Sequence, residues 1–258
     1  MNDTLLRDYL FELYQATSFN DRFNIYYKYT RKLGFEDVAY SIMPGIQFES
    51  IYKKNPVFMS SGSFSTDFLD HYSSEELIKD DFTIRNIKDN KLSPMDWRDY
   101  EKNMRLREKE KNLILLARED YGIRNALSIP TMKNDLGIAG ASIICSDNDN
   151  AFKGLKQERM RDLVFITHRF HESNLNKRNL PKMFVAPFLE YLTVNEIGIL
   201  CHLASGQHFQ RIEYSIDIAS YKVASNALNN LRKKKFNNIT KERLMYLCGF
   251  INLNEMLE

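Results

Sequence analysis

Seven polar side chains fall on one arc of a helix expected over roughly Ala219 to Lys234: Tyr221, Lys222, Ser225, Asn226, Asn229, Arg232 and Lys233. With residues placed about 100° apart, they oppose an apolar arc of Val223, Ala224, Ala227, Leu228 and Leu231. Hydroxyls and carboxamides suit base edges in a major groove, and the cations Arg232 to Lys235 suit phosphates. Ser220, just before the helix, belongs to the same surface. A solvated amphipathic helix has the same two faces, so the pattern alone does not make a nucleic-acid reader.

The elements around this helix narrow the choice. Thr193 and Glu196 have the spacing of a capping box, in which a hydroxyl and a carboxylate exchange hydrogen bonds with free backbone N–H groups. Ile197, Leu200, Cys201 and Ala204 follow at helical spacing, and Gly206 stands where a left-handed residue ends a helix. A second short helix is expected over Phe209 to Ser215. Ile216, Asp217 and Ile218 then form the turn of a helix-turn-helix.

The first 176 residues hold other groups with chemical capacity. Asp81 stands where it can cap a helix starting near Phe82, and Trp97 reads as simple core. Asp80 and Asp81 are neighbours and point apart on a helix, so spacing does not make them a catalytic pair. The chain has no Gly-rich phosphate loop, no G-x-S-x-G elbow and no metal-spaced His/Cys set, and is read as a non-enzyme without cofactor or metal. His168 and His171 are three apart on an expected helix and read as surface or capping residues.

The elements expected to carry these groups alternate helices with short strands, giving an α+β fold: an N-terminal α/β/α sandwich sensor domain, then a small all-α four-helix helix-turn-helix domain. The apolar stripe Leu5, Leu6, Tyr9, Leu10, Leu13 and Tyr14 predicts a first helix. Phe19, Phe23, Tyr26, Tyr27 and Leu33 predict a second, ending at Gly34. Strands are expected over Phe35 to Met43, near Ile46 to Tyr52, and over Pro56 to Met59. Short helices should occupy 65–89 and a longer one 100–120. Ala126 to Pro130 and Ile138 to Cys145 read as strands joined by a hairpin tip at Lys133-Asn134-Asp135, and a long helix is expected from about Ala151 to Asn176. The domain boundaries are 1–176, a linker at 177–187, and 188–258.

Composition agrees with a globular protein. Of 258 residues, 43% are hydrophobic and 27% charged, and the net charge of +2 argues against a general polyanion binder. Cys145, Cys201 and Cys248 lie far apart in apolar contexts and read as buried, reduced thiols. No run is long and apolar enough to span a bilayer, and the N-terminus lacks a signal-peptide core, so the expectation is a cytoplasmic protein with no membrane contact.

Residues 192–247 resemble the C-terminal domain of LuxR-type transcriptional regulators. Leu192, Thr193, Glu196, Leu200, Ala204 and Gly206 match its opening pattern, and Ile212, Ile218, Val223, Asn229, Leu231, Arg232 and Lys233 match further on. Arg211-Ile212-Glu213 replaces a Glu-Ile-Ala triplet, Lys222 a Thr, Asn226 a His and Lys234 a buried Leu. Burying Glu213 or Lys234 unpaired would be costly, so either the helices shift outward or Phe236 takes the core position. The resemblance implies a symmetric operator bound by a homodimer, with recognition helices about 34 Å apart.

The N-terminal part is similar to the autoinducer-binding domain of the same regulators. Phe68, Tyr72, Asp81 and Trp97 stand at or within a residue of its pocket positions, and Asp120-Tyr121-Gly122-Ile123-Arg124 resembles its Phe-Gly-Ile-Arg stretch. The resemblance implies an apolar pocket for a small amphipathic signal, an N-acyl homoserine lactone in that family, with Asp81 accepting from an amide N–H and Tyr72 donating to a carbonyl. Phe68 replaces a Trp that donates to the lactone carbonyl there, Phe82 replaces a Pro, and Ala126 a Gly. These changes imply a pocket that is present but altered and narrowed, taking the same signal or a different one, or permanently filled by side chains. An alternative is an interaction-type regulator that inhibits a relative by heterodimerisation, without specific DNA binding.

Overall fold

The computed structural model describes residues 3–45, 56–135, 137–175, 192–236, 238–250 and 253. These fall into two compact units, one built around 3–43 and 56–175 and the other around 192–253. The expected strand near 46–52 and the linker at 177–187 lie outside the described residues.

In the first unit, α1 (Asp3–Gln15) buries Leu6, Tyr9 and Leu13 at helical spacing, while Tyr14 of the expected stripe is exposed. Helix α2 (Phe19–Lys32) starts with a capping box between Ser18 and Asp21 and buries Phe23, Tyr26 and Tyr29. Five strands follow, β1 (Asp37–Pro44), β2 (Val57–Ser60), β3 (Met95–Asp96), β4 (Asn125–Asn134) and β5 (Gly137–Cys145), in the sheet order β2-β1-β5-β4-β3. The pairs β1–β2, β3–β4 and β4–β5 run antiparallel. The β4–β5 hairpin has its tip where the sequence predicts it, with Asn134 opposite Gly137.

Helices cover both faces of the sheet. On one, α7 (Asp149–Leu175) packs with α1 and α2, and the Phe170 ring stacks on Tyr26 at 4.8 Å and meets Tyr40 edge-on at 5.0 Å. On the other lie α3 (Thr66–Ser74), a 3₁₀ turn (Leu77–Asp80), α4 (Phe82–Lys88), α5 (Trp97–Asn103) and α6 (Glu108–Glu119). The single helix expected over 100–120 is two. Met104 is extended, Leu106 turns into the core, and α6 restarts with the Arg107 N–H donating to Glu110. A charge-rich stretch without glycine or proline hides this break from periodicity.

The second unit has α8 (Val194–Ala204), a 3₁₀ segment (Phe209–Tyr214), α9 (Tyr221–Lys234) and α10 (Lys241–Phe250). The Thr193–Glu196 capping box forms as expected, and Gly206 ends α8 with φ +69°, which a side chain would oppose. The expected second α-helix is only 3₁₀. Gly198 leaves space for Ile216, since a Cβ there would lie 3.1 Å from the isoleucine side chain. The buried face of α8 is Ile199, Leu200, His202 and Leu203, rotated from the expected one, and Cys201 is half-buried. Cys145 and Cys248 are buried free thiols. No described helix is long and apolar enough to cross a membrane.

Candidate functional site

Between the sheet and α3–α6 lies a cavity of about 70 Å³. One water needs roughly 10–15 Å³, so several groups fit. Phe68, Tyr72, Asp81 and Trp97, spread over thirty residues of sequence, all line it. Ser65 caps α3 by accepting from the Phe68 N–H, and one helical turn then brings Phe68 and Tyr72 to the same face. Asp81 starts α4 as its N-cap, so the capping role expected of it holds alongside its place in the cavity wall. Trp97 opens α5 behind the Asp96 cap.

The polar atoms of this wall bond to one another. Asp81 Oδ1 accepts from the Thr83 N–H and hydroxyl, each at 2.7 Å, and Oδ2 accepts from the Tyr72 hydroxyl at 2.8 Å. The Trp97 indole N–H donates to Ser128 Oγ at 3.0 Å, and Ser128 stands directly opposite Ser142, their oxygens 3.5 Å apart. Burial pushes the Asp81 carboxyl above its ordinary value, and the hydrogen bonds from Thr83 and Tyr72 only partly oppose this. Burial, reinforced by the Asp81 charge, pushes the Tyr72 hydroxyl well above its own, so it stays a donor.

Sequence reading missed Thr83, Ser41, Ser128 and Ser142, which also line the cavity. The strand period of two carried a signal, because Ala126, Ser128 and Pro130 alternate onto one face. Ala126 does line the cavity, whereas Phe82 packs behind it against Trp97 and Tyr100, at 6.2 and 5.0 Å, and does not narrow it directly. Helix α4 is held to α6 by Arg85, which donates Nε and Nη2 to the buried Glu110 at 2.5 and 2.9 Å. Burial raises the Glu110 carboxyl, but the Arg85 and Arg107 donors outweigh it and leave it below its usual value.

The histidine expectation needs correcting. His171 is buried, with Nδ1 2.5 Å from the Tyr40 hydroxyl, and burial pushes it down to about 4. It is core because its helix face turns onto the sheet. Among the described residues, Glu36, Cys145 and Asp147 bring possible metal-ligating atoms within 4.8 Å of one another. Burial lifts the Cys145 thiol to about 11, which keeps it protonated and a poor ligand.

In the second unit, Ser220 caps α9 by accepting from the Val223 N–H at 3.4 Å. Lys222, Asn226, Asn229 and Lys233 are exposed and Ser225 is half-buried. Tyr221 is partly covered by Phe209, 5.7 Å away, and its N–H donates to Glu213 Oε2 at 3.2 Å. Arg232 turns along the helix, donating Nε to the Ile239 carbonyl at 2.7 Å and Nη1 to Asn229 at 3.4 Å. Val223, expected in the apolar arc, is 47% exposed. Phe236 is fully buried while Glu213 and Lys234 are exposed, so the phenylalanine takes the core position.

A family model described as the autoinducer binding domain matches residues 18–173, the part of the chain that builds the cavity. The chain belongs to this family. Among solved structures, it is similar to Escherichia coli SdiA in the space group P6522, with 14% identity over 97% of this chain and 98% of that chain and a TM-score of 0.53. SdiA in complex with octanoyl-rac-glycerol matches at 14% identity, 96% of both chains and a TM-score of 0.54. At this identity the likeness shows a shared fold. The N-acylhomoserine lactone dependent LuxR family factor CepR2 from Burkholderia cenocepacia aligns at 13% identity over 65% of this chain and 93% of that one, with a TM-score of 0.49. No curated protein sequence matches the chain.

Proposed function

We propose that this protein is a LuxR-type transcription regulator that senses a small amphipathic molecule in the first unit and reads a two-fold symmetric operator, as a homodimer, with the second. The convergence of Phe68, Tyr72, Asp81 and Trp97 on one apolar cavity of the autoinducer-binding family carries the reading. The ligand is an acyl homoserine lactone or another acylated signal; the complex of SdiA with octanoyl-rac-glycerol supports an acylated amphiphile. Binding stabilises the liganded state in proportion to the logarithm of ligand concentration over Kd.

For DNA, support comes from the capped helix α9, with Ser220, Tyr221, Lys222, Ser225, Asn226 and Asn229 near its outer side and Lys233 at its end. Val223 joins them as a group able to meet a thymine methyl. Arg232 supports the helix end before it reaches a phosphate. The test is selection from a random duplex pool, with and without cell extract. Enrichment of a symmetric sequence is expected, and a pool that stays random under both conditions defeats the DNA half of the reading.

The inward turn of Arg232 favours a second reading, an interaction-type regulator that inhibits a relative by heterodimerisation. Lys222→Ala with Lys233→Ala separates the two. Lost regulation supports DNA contact, and intact regulation with retained pull-down of the relative supports the second reading.

A further inference from the structure

The carboxylate of Glu213 lies at the start of α9. Its Oε2 accepts from the N–H of Tyr221, eight residues on in sequence, at 3.2 Å. Tyr221 is the first residue of α9, and the first N–H groups of a helix have no partner within it. Ser220 accepts from the Val223 N–H, so Glu213 and Ser220 together hold two of the donors in the first turn.

Packing of the 3₁₀ segment fixes this contact. Ile212 is fully buried, and the buried Phe209 ring meets Tyr221 at 5.7 Å on one side and the Lys241 ammonium at 4.5 Å on another. With its neighbour anchored in the core, Glu213 stays exposed and turns its carboxylate to the helix end. Among the described residues no cation pairs with it, so its charge is not neutralised locally.

The start of a helix carries about half an elementary positive charge and free N–H donors, which suit an anion. Phosphates of a duplex are anions that such helix starts bind, and these contacts set how a protein sits on DNA. At the start of α9 a carboxylate of the chain already takes a donor, and its charge opposes an approaching phosphate. The alanine of the LuxR-type pattern at this position has neither the acceptor nor the charge.

We propose that Glu213 is an autoinhibitory contact that stands in for a phosphate at the start of α9, so that a duplex either displaces it or docks without this contact. The inference rests on the proposal that α9 reads DNA. It makes binding to the DNA backbone weaker than the fold allows.

The experiment measures fluorescence anisotropy of a short, labelled, random-sequence duplex with the purified full-length chain, between about 50 and 200 mM salt. Glu213→Gln removes the charge but keeps an oxygen for the Tyr221 N–H, and Glu213→Ala removes both; native circular dichroism checks each. Both variants are expected to bind at least about threefold tighter than the unaltered chain at the lower salt, with the gain shrinking as salt screens the repulsion. Asp217→Asn removes the same charge from the exposed turn before α9, and its gain should be clearly smaller. An equal gain from Asp217→Asn overturns the inference in favour of general charge repulsion. Unchanged or weaker binding by the Glu213 variants, with the unaltered chain still binding, overturns it and leaves the DNA reading standing. Binding by the Glu213 variants alone supports both, and failure of every protein to bind overturns the inference together with the DNA reading.

Discussion

The two faces of the sheet are built from the same strands but hold opposite interiors. On β1, Val38, Tyr40 and Ile42 are fully buried, and the Tyr40 ring meets a stack of Tyr26 and Phe170. The alternate residues Ala39 and Ser41 face the cavity with Ala126, Ser128 and Ser142. Both sides are covered by helices, so the hollow arises from side-chain size on alternate positions and not from a missing layer. One face therefore carries stability, and the other gives up contacts to leave room for a guest.

The comparison breaks first at Phe170. Phe170→Ala should cost about 3–5 kcal/mol in urea unfolding, as for other large aromatic truncations in cores; a loss under 1 kcal/mol would show that the filled face is not the stabilising one. His171 on the same face tests it by pH. With its folded value near 4 against 6.5 for the free side chain, only the unfolded chain takes up a proton between these limits. Stability from this group is complete above pH 6.5 and falls as pH drops toward 4, by about 3 kcal/mol in all. His171→Gln should flatten that decline, and an unchanged pH profile would place the titration elsewhere.

The hollow face should respond in ligand affinity and hardly in stability. Ser142→Leu fills space there, so unfolding stability should change by less than about 1 kcal/mol while ligand affinity falls at least tenfold. A loss above 3 kcal/mol would mean that the cavity is already packed. The smallest effect belongs to the second unit: Val223→Ala, at an exposed position of α9, should alter stability by less than about 0.5 kcal/mol. A larger loss in thermal unfolding would place Val223 in an interface.

Sequence pattern reveals the long, strongly periodic elements, because helix spacing and the strand period act locally, whereas the cavity's four named residues are legible only through the resemblance to the autoinducer-binding domain. It did not reveal features set by distant packing. The two-residue strand β3 is too short to show alternation, and the break before α6 depends on Leu106 finding the core. His171 looked like a surface residue until Tyr40, 131 residues away in sequence, supplied its partner. The serines of the cavity were overlooked because a hydroxyl on an apolar strand becomes informative only once the opposite strand is in register. Glu213 and Lys234 stand out in the sequence against the family pattern, but their exposure, with Phe236 inside, is set by how the helices of the second unit pack.

The cationic run at the end of α9 is effectively shorter than its letters. Arg232 is tied to the Ile239 carbonyl, and Lys235 lies 2.6 Å from Glu196, which holds it to the start of α8. A polyanion approaching this surface would exchange its counterions mainly against Lys222, Lys233 and Lys234. Since the logarithm of affinity falls by about 0.9 for each neutralised phosphate per decade of salt, such binding should weaken with ionic strength more gently than the basic composition suggests, leaving more of any selectivity to neutral contacts.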